Sequence, residues 1–222
     1  MSFLNDSISY VLRGCILIEL ALRNRIKTVK DPRKRSFCDK YIEVVDHTKT
    51  GEVILDEALR LIATENHSIS TWIDLLSGET WNPLKVGLQL RQVRERLQKG
   101  LVDKGILRTE KHSFFLFDMP THPLVDHNVK EEIIQTIVQT LQGKGKVPNI
   151  RTIALVCAAS AGNIMGNCLK SLGYQQKDAC VAKAEEILRD FSYAGDKMPN
   201  RCKNDIVAGV LNVFTRMDSL LY

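Results

Sequence analysis

Two arginines, Arg91 and Arg94, are the side chains best suited to chemistry, and they lie in the run LRQVRERL at 90–97. They stand three positions apart, so on a helix they are neighbours on one surface. A guanidinium group stays charged and presents a planar fork of N–H donors that matches the oxygens of a phosphate. The pair therefore predicts a site for a phosphate-bearing anion.

Catalytic and metal-binding patterns are not found in the sequence. It contains no G-x-x-x-x-G-K-[ST], no G-x-G-x-x-G after a strand, no G-x-S-x-G and no H-E-x-x-H. His122 and His127 would need carboxylates such as Asp118 and Asp126 to complete a zinc site, which takes three or four fixed ligands. We therefore expect no enzymatic activity, no metal and no cofactor.

The cysteines are predicted to be reduced thiols, mostly in the core, because they lie far apart and form no C-x-x-C pair. They are Cys15, Cys38, Cys157, Cys168, Cys180 and Cys202. The apolar run at 15–18, like every other uninterrupted apolar run in the sequence, is far shorter than the roughly 20 apolar residues that cross a bilayer. The chain opens without a secretion signal.

The element that must position the two arginines is predicted to be one continuous helix. Asn82 is a suitable cap for it, and Pro83 suits its first position, where a missing N–H costs nothing. The apolar residues fall at i, i+4, i+7 and i+11 and predict one buried stripe: Val86, Leu90, Val93 and Leu97. Arg91 and Arg94 then flank that stripe on a basic helix.

An apolar hairpin is predicted directly after this helix, which ends with Gly100 and Gly105. ILRTE at 106–110 and FFLFD at 114–118 are typical of strands, with a loop at 111–113. The run Phe114, Phe115, Leu116 and Phe117 puts large apolar groups on both faces of its strand. Either the strand is buried on both sides, or one face meets lipid or another subunit, since each Phe removed from water contributes roughly 1.5–3 kcal/mol.

The net charge of +5 is unevenly distributed. Residues 23–40 and 91–111 together hold 15 Lys/Arg against five Asp/Glu, a net charge of +10, so the remaining residues carry −5. A charge run is often only a solvated face, but localised positive charge also indicates an anionic partner. Beside the apolar hairpin, it suggests a surface that docks on membranes.

The remaining pattern predicts a mainly α fold: a single compact helical domain over residues 1–222, with a β-hairpin and a small wing-like strand pair. Helices are predicted at 8–22, 53–64, 70–76, 129–142, 153–172, 183–191 and 205–221. The wing pairs 25–29 with 41–46 around a basic loop. Trp72 and Trp81 are both expected to be core anchors, because Trp is highly buried on average.

Several blocks in order closely resemble the Golgi phosphoprotein 3 family, and most of all its fungal vacuolar-protein-sorting members. They are LRGCILIELALRN at 12–24, KTGEVILDEAL at 49–59, IDLLSGETWNPLK at 73–85, LRQVRERL at 90–97, LVDKGILRTEK at 101–111 and FFLFDMPTHPL at 114–124. The resemblance covers nearly the whole chain. It implies a mainly helical peripheral protein on the cytosolic face of the Golgi, with a cytosolic pool.

In function, the resemblance implies an adaptor that binds phosphatidylinositol 4-phosphate and retains glycosyltransferases by linking their cytoplasmic tails to the COPI coat. It assigns the headgroup to Arg13, Arg91 and Arg94, and membrane contact or homo-oligomerisation to the hairpin run 114–117. Leu4 stands where the family has a Trp, which affects an aromatic contact. No basic N-terminal tail precedes Met1, so either the sequence is a trimmed one or coat binding is reduced.

Two alternatives from other classes stay open. The helices and the wing with its basic loop at 30–40 would also suit the phosphate backbone of a nucleic acid. We nevertheless expect that the protein has no nucleic-acid partner. An oligomeric scaffold without lipid specificity would use the hairpin only for assembly.

Overall fold

The computed structural model describes residues 3–114, 117–144, 147–192 and 202–218. Its longer helices in chain order are α1 Phe3–Leu22, α2 Val53–Ile62, α3 Ile69–Ser77, α4 Val93–Asp103, α5 His127–Leu141, α6 Ile150–Ala161, α8 Tyr174–Arg189 and α9 Asp205–Asp218, with the short α7 Met165–Cys168. The strands are β1 Ile26–Thr28, β2 Ile42–Val44, β3 Glu110–Phe114 and β4 Phe117–Thr121. The mainly α single domain predicted from the sequence is confirmed.

Helix α1 lies at the centre and packs against α3, α6 and α9. Its side chains Leu17 and Leu20 are fully buried, as are Trp72 of α3 and Phe214 of α9. Each such side chain contributes roughly 1.5–3 kcal/mol when it leaves water. The close approach of α1 and α9 depends on Gly14, because a Cβ there would meet the Phe214 ring at 2.6 Å.

The predicted wing is present as the antiparallel pair of β1 and β2, in which Ile26 pairs with Val44 and Thr28 with Ile42. The chain that leads into β2 is anchored to α9 at residues 37–40. Phe37 in a short 3₁₀ helix is buried, and Lys40 Nζ lies 2.6 Å from Asp205 Oδ2.

Capping side chains begin some of the helices. At the start of α3, the Ser68 hydroxyl accepts a hydrogen bond from the Thr71 amide. The single helix predicted over 153–172 is wrong, because α6 ends at Ala161 and Asn163 adopts a left-handed φ of 53° before α7 begins. Apolar residues on all sides predict burial, but they do not show where the backbone turns.

Candidate anion-binding surface

Residues 77–90 form a loop that leaves the end of α3 and returns beside it. Gly78 turns the chain away from α3 with a φ of +85°. The return is fixed by the Leu90 amide, which donates to the Leu76 carbonyl at 3.0 Å, and by the fully buried Leu90 side chain. The 77–90 loop is therefore closed at its base and anchored in the core.

The outer part of the 77–90 loop is a 3₁₀ helix, Pro83–Leu88. The Asn82 side chain accepts from the Leu84 amide at 3.0 Å, and Pro83 occupies the first turn. The predicted cap is therefore confirmed, although it begins a 3₁₀ helix and not an α-helix.

The continuous helix predicted from Pro83 through Leu97 is wrong. Gln92 adopts a left-handed conformation, with φ 52° and ψ 40°, and α4 begins only at Val93. The break is tertiary in origin, because the amide and the carbonyl of Leu90 both bond to groups outside their own segment. The predicted stripe is also broken, since the Val86 side chain is 42% exposed.

The break places Arg91 in the turn before α4 and Arg94 in the first turn of α4. Arg91 is exposed and Arg94 is half-buried. Within the part of the chain that the structure describes, no carboxylate forms an ion pair with Arg91. By contrast, Arg96 of the same run pairs with Glu57 at 2.6 Å.

Arg13 lies beneath this turn, with only 5% of its surface exposed. Its Nε donates to the Leu76 carbonyl at 3.2 Å and its Nη2 to the Leu90 carbonyl at 2.8 Å. Its Nη1 donates to the carbonyl and the hydroxyl of Ser9. These bonds use four of the five guanidinium N–H groups, so the side chain fastens α1 to both ends of the 77–90 loop.

Arg13 is also in electrostatic contact with Arg94. Burial lowers the pKa of the Arg13 guanidinium, the charge of Glu95 raises it, and the charge of Arg94 lowers it again. Arg13 also bonds the carbonyl that joins Leu90 to Arg91, so the backbone that carries Arg91 rests on this guanidinium. An anion beside Arg94 would therefore also be attracted by the positive charge of Arg13.

Trp81 contradicts the expectation of a core anchor, because it is fully exposed at 103%, whereas Trp72 is fully buried as expected. Leu84, on the same 3₁₀ segment, is 92% exposed. The signal that sequence reasoning missed is the Asn82-Pro83 turn that follows Trp81, since Asn and Pro favour surface turns.

The hairpin is present, but its turn lies elsewhere than predicted. Residues 111–113 belong to β3, and Phe114 pairs with Phe117 across residues 115 and 116, which lie outside the described residues. The strand predicted at 106–110 pairs with 121–125 instead, through the Leu107–Leu124 bridge and the Glu110–Thr121 pair. A polar turn at 111–113 was expected, but these residues form part of β3. Pro120 lies in β4, which is compatible with a sheet of only two strands.

The first basic segment, 23–40, is largely neutralised by ion pairs. They are Arg23–Glu19, Arg25–Asp46, Lys27–Glu43, Arg33–Asp31, Arg35–Asp31 and Lys40–Asp205. Hydrogen bonds from Arg33 and then from Arg35 hold the pKa of Asp31 below its usual range. This segment therefore offers less positive charge to an external anion than its composition suggested.

The thiols and metal ligands show no catalytic arrangement in the described ranges. All six cysteines are free, and burial raises the pKa of the Cys157 thiol. No group of His, Cys, Asp or Glu among these residues could hold a metal ion. None of the described helices is long and apolar enough to cross a membrane.

Comparison with known proteins supplies the family. A family model described as Golgi phosphoprotein 3 matches residues 1–204. Vacuolar protein sorting-associated protein 74 of Eremothecium gossypii is 48% identical over 261 aligned residues, which cover 100% of this chain and 79% of that protein. The protein of the same name from Schizosaccharomyces pombe is 44% identical over 260 residues, which cover 100% of this chain and 77% of that protein.

Proposed function

The chain belongs to the Golgi phosphoprotein 3 family, and from this premise we propose that it is a peripheral adaptor that binds phosphatidylinositol 4-phosphate at the Golgi. The family and the vacuolar protein sorting names of its relatives support a Golgi-associated trafficking role. In the proposed function, the protein acts as a homo-oligomer on the cytosolic face, with a cytosolic pool. It retains or recycles glycosyltransferases by linking their cytoplasmic tails to the COPI coat.

The observation that supports the proposal is that Arg13 bonds the backbone at the base of the 77–90 loop, directly before Arg91, and is in electrostatic contact with Arg94. Arg91 and Arg94 present guanidinium groups at or near the surface, and Arg13 bonds the carbonyl between Leu90 and Arg91. A phosphomonoester carries close to two negative charges and three acceptor oxygens near neutral pH, so it suits several guanidinium donors. In the proposed headgroup site, Arg91 and Arg94 bind the phosphate, and Arg13 supports them from below.

The hairpin run 114–117 is the proposed apolar membrane contact, or the surface for self-association. The pairing of Phe114 with Phe117 puts only residues 115 and 116 between the two strands. Their sequence, Phe-Leu, is apolar where hairpin turns are normally polar. That departure supports a role outside the fold of the chain itself.

Flotation with liposomes tests the proposal. Unaltered protein is expected to float with phosphatidylcholine vesicles that contain phosphatidylinositol 4-phosphate, and to float less with phosphatidylinositol at the same charge density. The double variant Arg91→Gln with Arg94→Gln is expected to lose headgroup-dependent flotation and to remain folded, with only a small fall in the urea midpoint, because Arg91 is exposed and Arg94 is half-buried.

The matched control removes the same charge elsewhere, with Lys170→Gln and Arg189→Gln, both of which are exposed. This control is expected to keep the headgroup preference. If the control loses flotation to the same extent, the effect comes from net charge in general, and the assignment of the site to Arg91 and Arg94 is wrong. Unfolding of the Arg91 and Arg94 variant would make those arginines structural and overturn the assignment.

The nucleic-acid alternative has weaker support, because the basic loop that suggested it is mostly ion-paired. It predicts tight binding of duplex DNA with a steep dependence on salt concentration. The scaffold alternative predicts that shortening the hairpin changes the mass in solution but leaves flotation unchanged.

A further inference from the structure

We propose that Trp81 and Leu84, at the outer end of the 77–90 loop, form a separate membrane-contacting element that enters the interfacial region of an anionic bilayer. This inference rests on the proposed function, because it takes the surface around Arg91 and Arg94 to face the membrane. It adds an apolar contact that lies apart in sequence from the hairpin.

The exposure of the two side chains is the first observation. Trp81 is 103% exposed and Leu84 is 92% exposed, although both are among the side chains that gain most from leaving water. They flank Asn82 and Pro83 on one short turn, and neither belongs to the core cluster. Trp in particular favours the boundary between headgroups and acyl chains, because its ring is apolar and its indole N–H is polar.

The turn that carries them is held in shape before any partner binds. The Asn82 amide donates to the Thr80 hydroxyl at 3.2 Å, and the Asn82 side chain accepts from the Leu84 amide. Buried Leu88 and Leu90 anchor the return of the loop. A preformed turn lowers the entropic cost of binding, because little backbone must be ordered on contact.

Charge complementarity selects an anionic lipid surface as the partner. Residues 77–94 carry Lys85, Arg91 and Arg94 against the single acidic Glu79, a net charge of +2. Lys85 contacts His67 and Glu65 on one side of the loop, and Arg91 and Arg94 add positive charge at its base. Apolar side chains that lie beside positive charge bind membranes in two ways, by insertion of the apolar groups and by attraction of the charge to anionic headgroups.

The two tryptophans make the proposal directly measurable. Trp72 is fully buried and Trp81 is fully exposed, so a change in fluorescence on adding vesicles reports Trp81. With phosphatidylcholine vesicles that contain phosphatidylinositol 4-phosphate, we expect a blue shift of the emission. With brominated acyl chains in the same vesicles, we expect quenching, and the variant Trp81→Phe should show neither effect.

Partitioning gives a second, independent readout. The variant Trp81→Ser with Leu84→Ser is expected to weaken vesicle binding at least about tenfold, because two large apolar groups no longer leave water. The matched control, Val53→Ser with Val147→Ser, removes apolar groups that are 78% and 88% exposed elsewhere, and should bind like the unaltered protein. Circular dichroism should show the same helix content in all of these proteins.

The outcomes separate this inference from the proposed function. Headgroup-dependent flotation without quenching of Trp81 would overturn the inference and leave the proposed function standing. Trp81 fluorescence that is quenched equally by brominated vesicles containing phosphatidylserine and by those containing phosphatidylinositol 4-phosphate would support insertion and overturn the headgroup specificity. Binding of the Trp81 and Leu84 variant equal to that of the unaltered protein would also overturn the inference.

Discussion

Arg13 connects the proposed headgroup site to the core, and at the scale of single residues it has the sharpest consequence. Its guanidinium donates to the carbonyls of Leu76 and Leu90, and the side chain is buried. Arg13→Gln should lower the free energy of unfolding by about 1–3 kcal/mol, the cost of a buried carbonyl that loses its donor, because the Leu76 carbonyl keeps the Leu90 amide whereas the Leu90 carbonyl loses Arg13. Urea denaturation followed by circular dichroism measures this loss.

Arg13→Lys is the conservative comparison for this prediction. A lysine keeps the charge but cannot reproduce the planar fork that reaches both carbonyls, so it should restore little stability. If Arg13→Gln folds as stably as the original while lipid binding disappears, Arg13 acts mainly on the ligand and the structural role is wrong.

Asp74 provides a prediction about pH at the same scale. The Tyr10 hydroxyl donates to its carboxylate, and burial raises the pKa of Asp74 although this hydrogen bond lowers it. A folded pKa above the ordinary value of about 3.9 means that the native state binds the proton more tightly. The stabilisation from this group is therefore fully present below the unfolded pKa and is lost as the pH rises through the folded pKa.

Asp74→Asn should remove this loss, because an amide keeps an acceptor for Tyr10 and carries no charge. The free energy of unfolding of the variant, minus that of the original protein, should rise from acid toward neutral pH and then level off. Urea midpoints at a series of pH values measure the difference. A difference that stays flat or falls with pH would contradict the assigned shift.

At the scale of elements, the sequence predicted what local periodicity and caps determine. The starts of α2 and α3 and the pairing of β1 with β2 follow from apolar spacing and from Ser68. The break before α4 could not be read in this way, because it depends on bonds from Leu90 to Leu76 and Arg13, which are distant in sequence. Arg91 and Arg94 were predicted to be neighbours on one continuous helix, but Arg91 lies in the turn before α4 and Arg94 in the first turn of α4.

Helix α9 supports a prediction about packing between elements. Gly209 lies so close to the preceding segments that a Cβ would meet the Phe37 carbonyl oxygen at 2.7 Å and Ile69 Cδ1 at 2.5 Å. Gly209→Ala should therefore cost about 1–3 kcal/mol or more, because a backbone oxygen cannot rotate away. Thermal unfolding measures the loss.

Gly100→Ala is the matched control for this packing prediction. Gly100 lies within α4, and a Cβ there would meet nothing within 4 Å. The variant should gain up to about 1 kcal/mol from helix propensity alone. Equal effects at positions 100 and 209 would show that close packing of α9 is not the cause.

At the scale of the whole molecule, the six cysteines are distributed as isolated free thiols. Stability then comes from the buried core and not from cross-links, so a reductant should leave the thermal midpoint of freshly purified protein unchanged. Differential scanning calorimetry with and without dithiothreitol checks this. A midpoint that falls in dithiothreitol would reveal a disulfide that contributes to stability.

The charge of the whole molecule was only partly readable from composition. The two basic segments were found by counting, but a count does not show which cations are already paired. Carboxylates brought from distant positions, such as Asp205 beside Lys40 and Glu57 beside Arg96, decide that question. A count of cations therefore overstates the positive charge that is open to an external anion.

The closure of the 77–90 loop also has a consequence for amide hydrogen exchange, because amides at its base and at its tip are protected to different degrees. The Leu76 carbonyl accepts from both the Leu90 amide and Arg13, so the Leu90 hydrogen is released only when the core around Arg13 opens. Near Trp81 the chain is exposed on its outer side. We therefore expect the Leu90 amide at the loop base to exchange as slowly as the core, and the amides at the tip to exchange like the surface.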